Sequence, residues 1–167
     1  MKKIIQSIKS IVVFSVFFLL FSCKNNTPKC RFGKPTPIFK SDLSGVLKHQ
    51  FAAQGENGAL ETVEFQNHTT LTLAQSGCDE LRQVFMFTKR GNFDKFDDLA
   101  WKNAAIAEFD ALSQIVPSFS DWANAIKSVS GELKLGQFFE IQPNIHVKID
   151  KIKSSGMAAI SVELSQK

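Results

Sequence analysis

The periodicity of the apolar residues changes twice along the chain, and this change constrains the fold more than any other feature. Apolar and polar residues alternate from about residue 47 to 87 and again from 138 to 164, as they do in strands with one buried face. Between these regions, apolar residues recur every three or four positions, as in amphipathic helices. Separate strand and helix regions predict an α+β domain.

The first alternating region divides into about four strands, and the second into two to three. The turns of the first region fall at residues 55–58, 66–69 and 76–79, where glycine and short polar side chains gather. Strands that follow one another through short turns pair antiparallel, so these four predict an antiparallel sheet in meander order. The later strands are expected at 138–141, 145–149 and 160–164.

The central region predicts an α-helical hairpin packed on one face of the sheet. Its first helix carries Trp101, Ala105, Phe109, Leu112 and Val116, and Pro117 ends it. The second is expected to be capped at 118–121 and to carry Trp122, Ile126, Val129 and Leu133. Both tryptophans are interpreted as core. The acids Asp94, Asp97 and Asp98 suit a helix start; a calcium loop is the alternative, but Phe96 stands at a ligand position, so no metal is predicted.

The N-terminal residues have the pattern of an export signal. Three lysines precede an apolar run at 11–21, and the small residue Ser22 stands before Cys23. Leu20-Phe21-Ser22-Cys23 resembles the lipobox of bacterial lipoproteins. The resemblance implies removal of residues 1–22 and a diacylglycerol on the Cys23 thiol. An uncleaved membrane span or an ordinary secretory peptide are the alternatives, although eleven apolar residues are fewer than the roughly 20 that a span needs.

Three further segments resemble small envelope lipoproteins of the Bacteroidota: residues 22–26, 75–79 and 147–152. No activity comes with this resemblance. Lipoproteins of that group exposed at the cell surface often carry acids after the lipidated cysteine, and residues 24–27 have none. The expected location is therefore the bacterial cell envelope, lipid-anchored to the outer membrane and facing the periplasm.

Charge separates a tether at 23–40 from a single domain at 41–167. The tether contains five basic residues, three prolines and no acid, which favours an extended chain near the membrane surface. The domain has 12 basic and 16 acidic side chains. Because this balance provides no basic surface for phosphates, no nucleic-acid partner is expected.

Apart from Cys23, the predicted site of lipid attachment, the sequence contains two cysteines, Cys30 and Cys78. An even pair in an oxidising compartment predicts a disulfide. Two free thiols, or Cys78 as a nucleophile, are the alternatives. No Cys-x-x-Cys motif occurs that would indicate a redox site or a zinc ribbon.

Catalytic motifs are absent from the sequence, so no catalytic residue and no cofactor are predicted. His49, His68 and His146 are scattered, as are the acids Glu61, Glu64 and Glu140. The favoured hypothesis is a non-enzymatic module that binds an envelope protein. The first alternative is an inhibitor or immunity protein against a cationic enzyme or toxin. The second is a hydrolase whose site combines distant acids with His146 or His49.

Overall fold

The computed structural model of the protein describes residues 30–91, 93–154 and 156–167. The predicted signal peptide (1–22) and the predicted lipid attachment at Cys23 lie outside these residues. The described residues form seven strands and two helices, in an order that confirms the predicted α+β class. The bounds are β1 Val46–Gln54, β2 Gly58–Phe65, β3 Thr70–Gly77, β4 Leu81–Arg90, α1 Asp98–Ile115, α2 Phe119–Val129, β5 Phe139–Gln142, β6 Ile145–Ser154 and β7 Met157–Gln166.

All seven strands join one antiparallel sheet, in the order β1-β2-β3-β4-β7-β6-β5. The first four form the predicted meander. The last strand of the chain pairs with β4 over ten residue pairs, from Leu81–Gln166 to Arg90–Met157, and thereby joins both groups of strands. The sheet is thus larger than the sequence analysis expected. Alternation shows which face of a strand is buried, but it does not show which strand lies beside it.

The two helices pack on one face of the sheet around an aromatic core. Phe109 of α1 lies 5.1 Å from Phe85 between ring centroids, and Phe119 of α2 lies 5.6 Å from the same ring. All three rings are buried. Complete burial of a phenylalanine side chain stabilises a fold by roughly 1.5–3 kcal/mol. These contacts therefore hold the hairpin on β4 at the centre of the sheet.

Helix ends agree with the sequence prediction at α1 and differ at α2. Asp97 caps α1 by accepting the N–H of Ala100 at 2.7 Å, as the acidic start predicted. Ser118 precedes α2 with helical backbone angles and makes no side-chain capping bond, so the predicted cap is wrong there. A capping side chain needs an extended backbone to reach back to the free N–H groups. Leu133 is buried but lies beyond the end of α2.

Residues 30–40, which the sequence analysis assigned to the tether, pack against the sheet. Phe39 is 0 % exposed and stacks on Phe119. At the other end of the segment, the Phe32 N–H donates to the Cys78 carbonyl at 2.9 Å. The Sγ atoms of Cys30 and Cys78 are 2.02 Å apart, at disulfide distance, which is consistent with the predicted bridge. Residues 30–40 therefore belong to the packed part of the described chain.

In the part of the chain that the structure describes, no helix is long and apolar enough to cross a membrane.

Candidate functional site

The structure brings two of the scattered polar residues together beneath the N-terminal segment. Glu61 of β2 is 0 % exposed, and its carboxylate lies 2.7 Å from Nε2 of His49 on β1. The same carboxylate accepts the N–H groups of Ile38 at 3.0 Å and Phe39 at 2.8 Å. We call this group the Glu61 clasp. Because its oxygens already hold these donors, the clasp secures residues 38–39 to the sheet.

The Glu61 clasp was detectable in part from the sequence. In the β1–β2 hairpin, Phe51 pairs with Glu61 and His49 pairs with Val63, so the histidine and the acid share a face. The alternation of Leu47, His49 and Phe51 in the sequence also puts His49 on the apolar face of its strand. What the sequence could not show is that Ile38 and Phe39 return over this hairpin, since that contact depends on tertiary packing.

The other predicted polar residues are dispersed. Glu64 pairs with Lys48 at 3.0 Å on the face opposite the helices. Glu140 accepts the N–H of Asn144 at the β5–β6 turn. His68 lies in the β2–β3 turn with a positive φ of 59°. His146 of β6 lies on the sheet face opposite His49, so those two histidines belong to different surfaces.

The acids at the start of α1 cap the helix and form an ion pair with a neighbouring strand. Asp97 is the cap described above, and Asp98 pairs with Lys151 of β6 at 2.6 Å. Within residues 30–91, 93–154 and 156–167, no group of three or more histidine, cysteine, aspartate or glutamate side chains is placed to hold a metal ion. The structure therefore offers no metal centre in this part of the chain as a basis for a function.

The face of the sheet opposite the helices is a second candidate site, and we call it the open face. Its central positions lie side by side on neighbouring strands and are small, hydroxyl-bearing or apolar. Most of them are half-buried, and Ala74 is exposed. These residues are Leu60, Thr62, Thr70, Thr72, Ala74, Val84, Met86, Thr88, Ala159 and Ser161. No formal charge stands among them.

Charged side chains border the open face on the β6 side. Glu163 of β7 has a side chain only 8 % exposed and pairs with both Arg82 and Lys148, the latter at 3.4 Å. Lys148 also pairs with Asp150 at 3.1 Å. We call these four residues the ionic border. Two cations and two anions balance here, so the border presents both signs of charge.

The ionic border shifts the proton affinity of its members. Burial alone would raise the pKa of Glu163, but the hydrogen bond and charge of Arg82, with the charge of Lys148, outweigh burial and lower that pKa. The hydrogen bond to Glu163 raises the pKa of Arg82. The hydrogen bond to Asp150 is the main cause that raises the pKa of Lys148. Glu163, Arg82 and Lys148 are therefore held in their charged forms.

Comparison of the chain with protein-family models, with curated proteins and with solved structures found no match. The class that can be stated is structural: an α+β protein whose antiparallel sheet carries two helices on one face. The sequence predicted strands with one polar face, but it did not show that the polar faces of neighbouring strands form the open face.

Proposed function

We propose that the chain is a lipid-anchored protein of the bacterial cell envelope whose open face binds another protein. The anchor is Cys23, as the lipobox-like residues 20–23 suggest, and the expected location is the outer membrane facing the periplasm. No catalytic role is included in this proposal. The observation that carries the binding role is the open face itself, whose uncharged centre extends over four strands, β2, β3, β4 and β7.

The chemistry of the open face favours a protein partner. Its uncharged centre and its charged border match the usual arrangement of protein–protein interfaces, in which charge is depleted at the core and polar groups form the rim. A nucleic acid would require an excess of cations. The ionic border has none, since Arg82 and Lys148 are balanced by Glu163 and Asp150. We therefore expect a partner surface that is uncharged at its centre.

The position of the anchor leaves the open face accessible. Cys23 precedes Cys30 by seven residues, and Cys30 is held at the β3–β4 turn, at one end of the strands. Strands of ten residues extend about 33 Å from that end. A lipid attached near the β3–β4 turn would thus hold the strands away from the bilayer with their open face to the side.

A pair of matched substitutions tests this proposal. Ala74→Lys puts a charge on the exposed part of the open face, and Ala107→Lys puts the same charge on the exposed side of α1. Each variant, with wild type, would be used to isolate partners from envelope extracts by cross-linking and mass spectrometry. We expect a partner that wild type and Ala107→Lys retain and that Ala74→Lys loses. Equal retention by all three would exclude the open face.

Two additional readouts address the rest of the proposal. The mass of the N-terminal peptide tests the anchor, because an unmodified chain starting at Met1 contradicts lipidation at Cys23. The identity of the captured protein separates the favoured function from the inhibitor alternative. A cationic hydrolase or toxin that loses activity in the complex would support inhibition instead.

A further inference from the structure

A cleft of about 500 Å³ lies between α2 and the strands at the β5 edge of the sheet. Its α2 side is formed by Ser118, Asp121, Trp122, Asn124 and Ala125, and its strand side by Gln142, Ile145 and Gln166. It is on the helix side of the sheet and therefore separate from the open face. Its volume falls in the range of about 300–1,000 Å³ that is usual for small-molecule sites.

The cleft combines an indole ring with unpaired hydrogen-bonding groups. Trp122 is half-buried and packs against the core, whereas Trp101 is fully buried as predicted. Within the described residues, no hydrogen bond or ion pair occupies the five polar side chains of the cleft: Ser118, Asp121, Asn124, Gln142 and Gln166. The lining contains no lysine, arginine or histidine, and Asp121 is its single formal charge.

The amide, carboxylate and indole groups that line the cleft determine which kind of ligand it can bind. An amide side chain both donates and accepts hydrogen bonds, and a carboxylate accepts them, so together they can satisfy a ligand with several hydroxyl groups. The indole ring offers an apolar face that fits the C–H face of a sugar ring. A purely apolar ligand would leave the five polar groups desolvated without partners, at a cost. An anion would meet Asp121 with no cation to offset it.

We propose that this cleft binds a neutral sugar unit, with the ring stacked on Trp122 and its hydroxyl groups bonded to the surrounding amides and Asp121. The assignment is independent of the open face and does not depend on a protein partner. A polysaccharide of the envelope and a glycan headgroup of a lipid share this chemistry. Free monosaccharides can test the site first, and polysaccharide fragments and glycolipids can then be compared.

Titration by NMR would test the sugar site directly. The mature chain with Cys23→Ser would be titrated with glucose, galactose, mannose and N-acetylglucosamine, and with glucose 6-phosphate as an anionic comparison. The indole N–H signal of Trp122 reports on the cleft. We expect at least one neutral sugar to shift this signal with a millimolar Kd, and we expect the phosphorylated sugar to bind more weakly.

Two exposed polar residues provide a matched pair of variants. Asn124→Ala removes an amide from the cleft, and Gln114→Ala removes one from the exposed surface of α1. Loss of one hydrogen bond should weaken sugar binding by roughly fivefold in Asn124→Ala, with no change in Gln114→Ala. Trp122→Phe, which retains an apolar ring but lacks the indole N–H, should weaken it further, as measured from the backbone amide signals of the residues that line the cleft.

Three outcomes would overturn the assignment: no shift with any neutral sugar, equal binding by Asn124→Ala and wild type, or preferred binding of glucose 6-phosphate. If the neutral sugar binds as expected, vesicles containing a glycolipid and soluble polysaccharide fragments would then be compared. Either source is consistent with the site, and the tighter of the two identifies the natural ligand class.

Discussion

Replacement of Glu61 by alanine should destabilise the fold more than any other single change among its acidic residues. The carboxylate is 0 % exposed and accepts two backbone N–H groups and the ring of His49. The buried Phe39 N–H left without a partner costs about 1–3 kcal/mol, and loss of the part-buried Ile38 bond costs about 0.5–1.5 kcal/mol, which together give about 1.5–4.5 kcal/mol. Natural domains have a free energy of unfolding of only about 5–15 kcal/mol. The variant should therefore be close to the limit of folding.

Two further variants separate the clasp from a general effect of charge. Glu64→Ala removes an acid from the same strand, but its partner Lys48 is exposed, so we expect a loss below about 1 kcal/mol. Glu61→Gln retains one acceptor oxygen but turns an amide donor toward the second backbone N–H, so its cost should be intermediate. Urea unfolding at neutral pH, with Cys30 and Cys78 left oxidised, measures all three.

The result that would refute this reasoning is a small effect of Glu61→Ala. If its free energy of unfolding stayed within about 1 kcal/mol of wild type and matched that of Glu64→Ala, the N–H groups of Ile38 and Phe39 would not depend on the carboxylate. Residues 38–39 would then be held by packing of Phe39 alone. A loss of the size given above, with the expected order of the three variants, supports the clasp.

Two further predictions concern the cysteine pair and the ionic border. Thiol labelling of the unreduced mature protein should leave Cys30 and Cys78 unmodified, and ready labelling without reductant would contradict the bridge. Reduction should lower the free energy of unfolding by roughly 4 kcal/mol on the chain-entropy model. Because its neighbours lower the pKa of Glu163, its contribution to stability should be complete above the ordinary pKa of a glutamate and lost as the pH falls through its folded-state pKa. Urea unfolding from pH 7 into the acid range should show this loss, and Glu163→Gln should be less stable at pH 7 and show a weaker pH dependence; an unchanged pH profile in that variant would count against the ionic border.

The sequence predicted the strands and helices well because their signals are local. The alternation around Phe85 and Phe87 requires a strand with one buried face, and the spacing of Trp101, Ala105 and Phe109 requires a helix. The position of β7 beside β4 was not predictable in this way. It depends on which apolar faces meet, and Val162 and Ile160 meet Phe85 and Phe87 only in the folded sheet.

The candidate sites were less predictable because they depend on contacts distant in sequence. The composition of residues 23–40 suggested an extended tether, yet Phe39 is buried against α2 and Glu61 accepts its N–H. Proline and charge content describe local stiffness and do not show whether a nearby apolar residue finds a core. Trp122 illustrates the converse. Its helical spacing indicated full burial, but it lies half-buried at the margin of the core and is one of the residues that line the cleft.

The register of the sheet connects the anchor with the proposed sugar site. Gly77 pairs with Leu81, Leu81 with Gln166, and Gln166 with Ile145, so the turn that carries Cys78 and the cleft occupy the same end of the sheet. Neighbouring strands are about 4.8 Å apart, which puts β6 roughly 14 Å from β3. Seven residues of chain extend at most about 25 Å, so lipidation at Cys23 would hold the cleft near the membrane surface. A membrane-proximal glycan would then meet the cleft at a high local concentration, and millimolar affinity would be sufficient for binding.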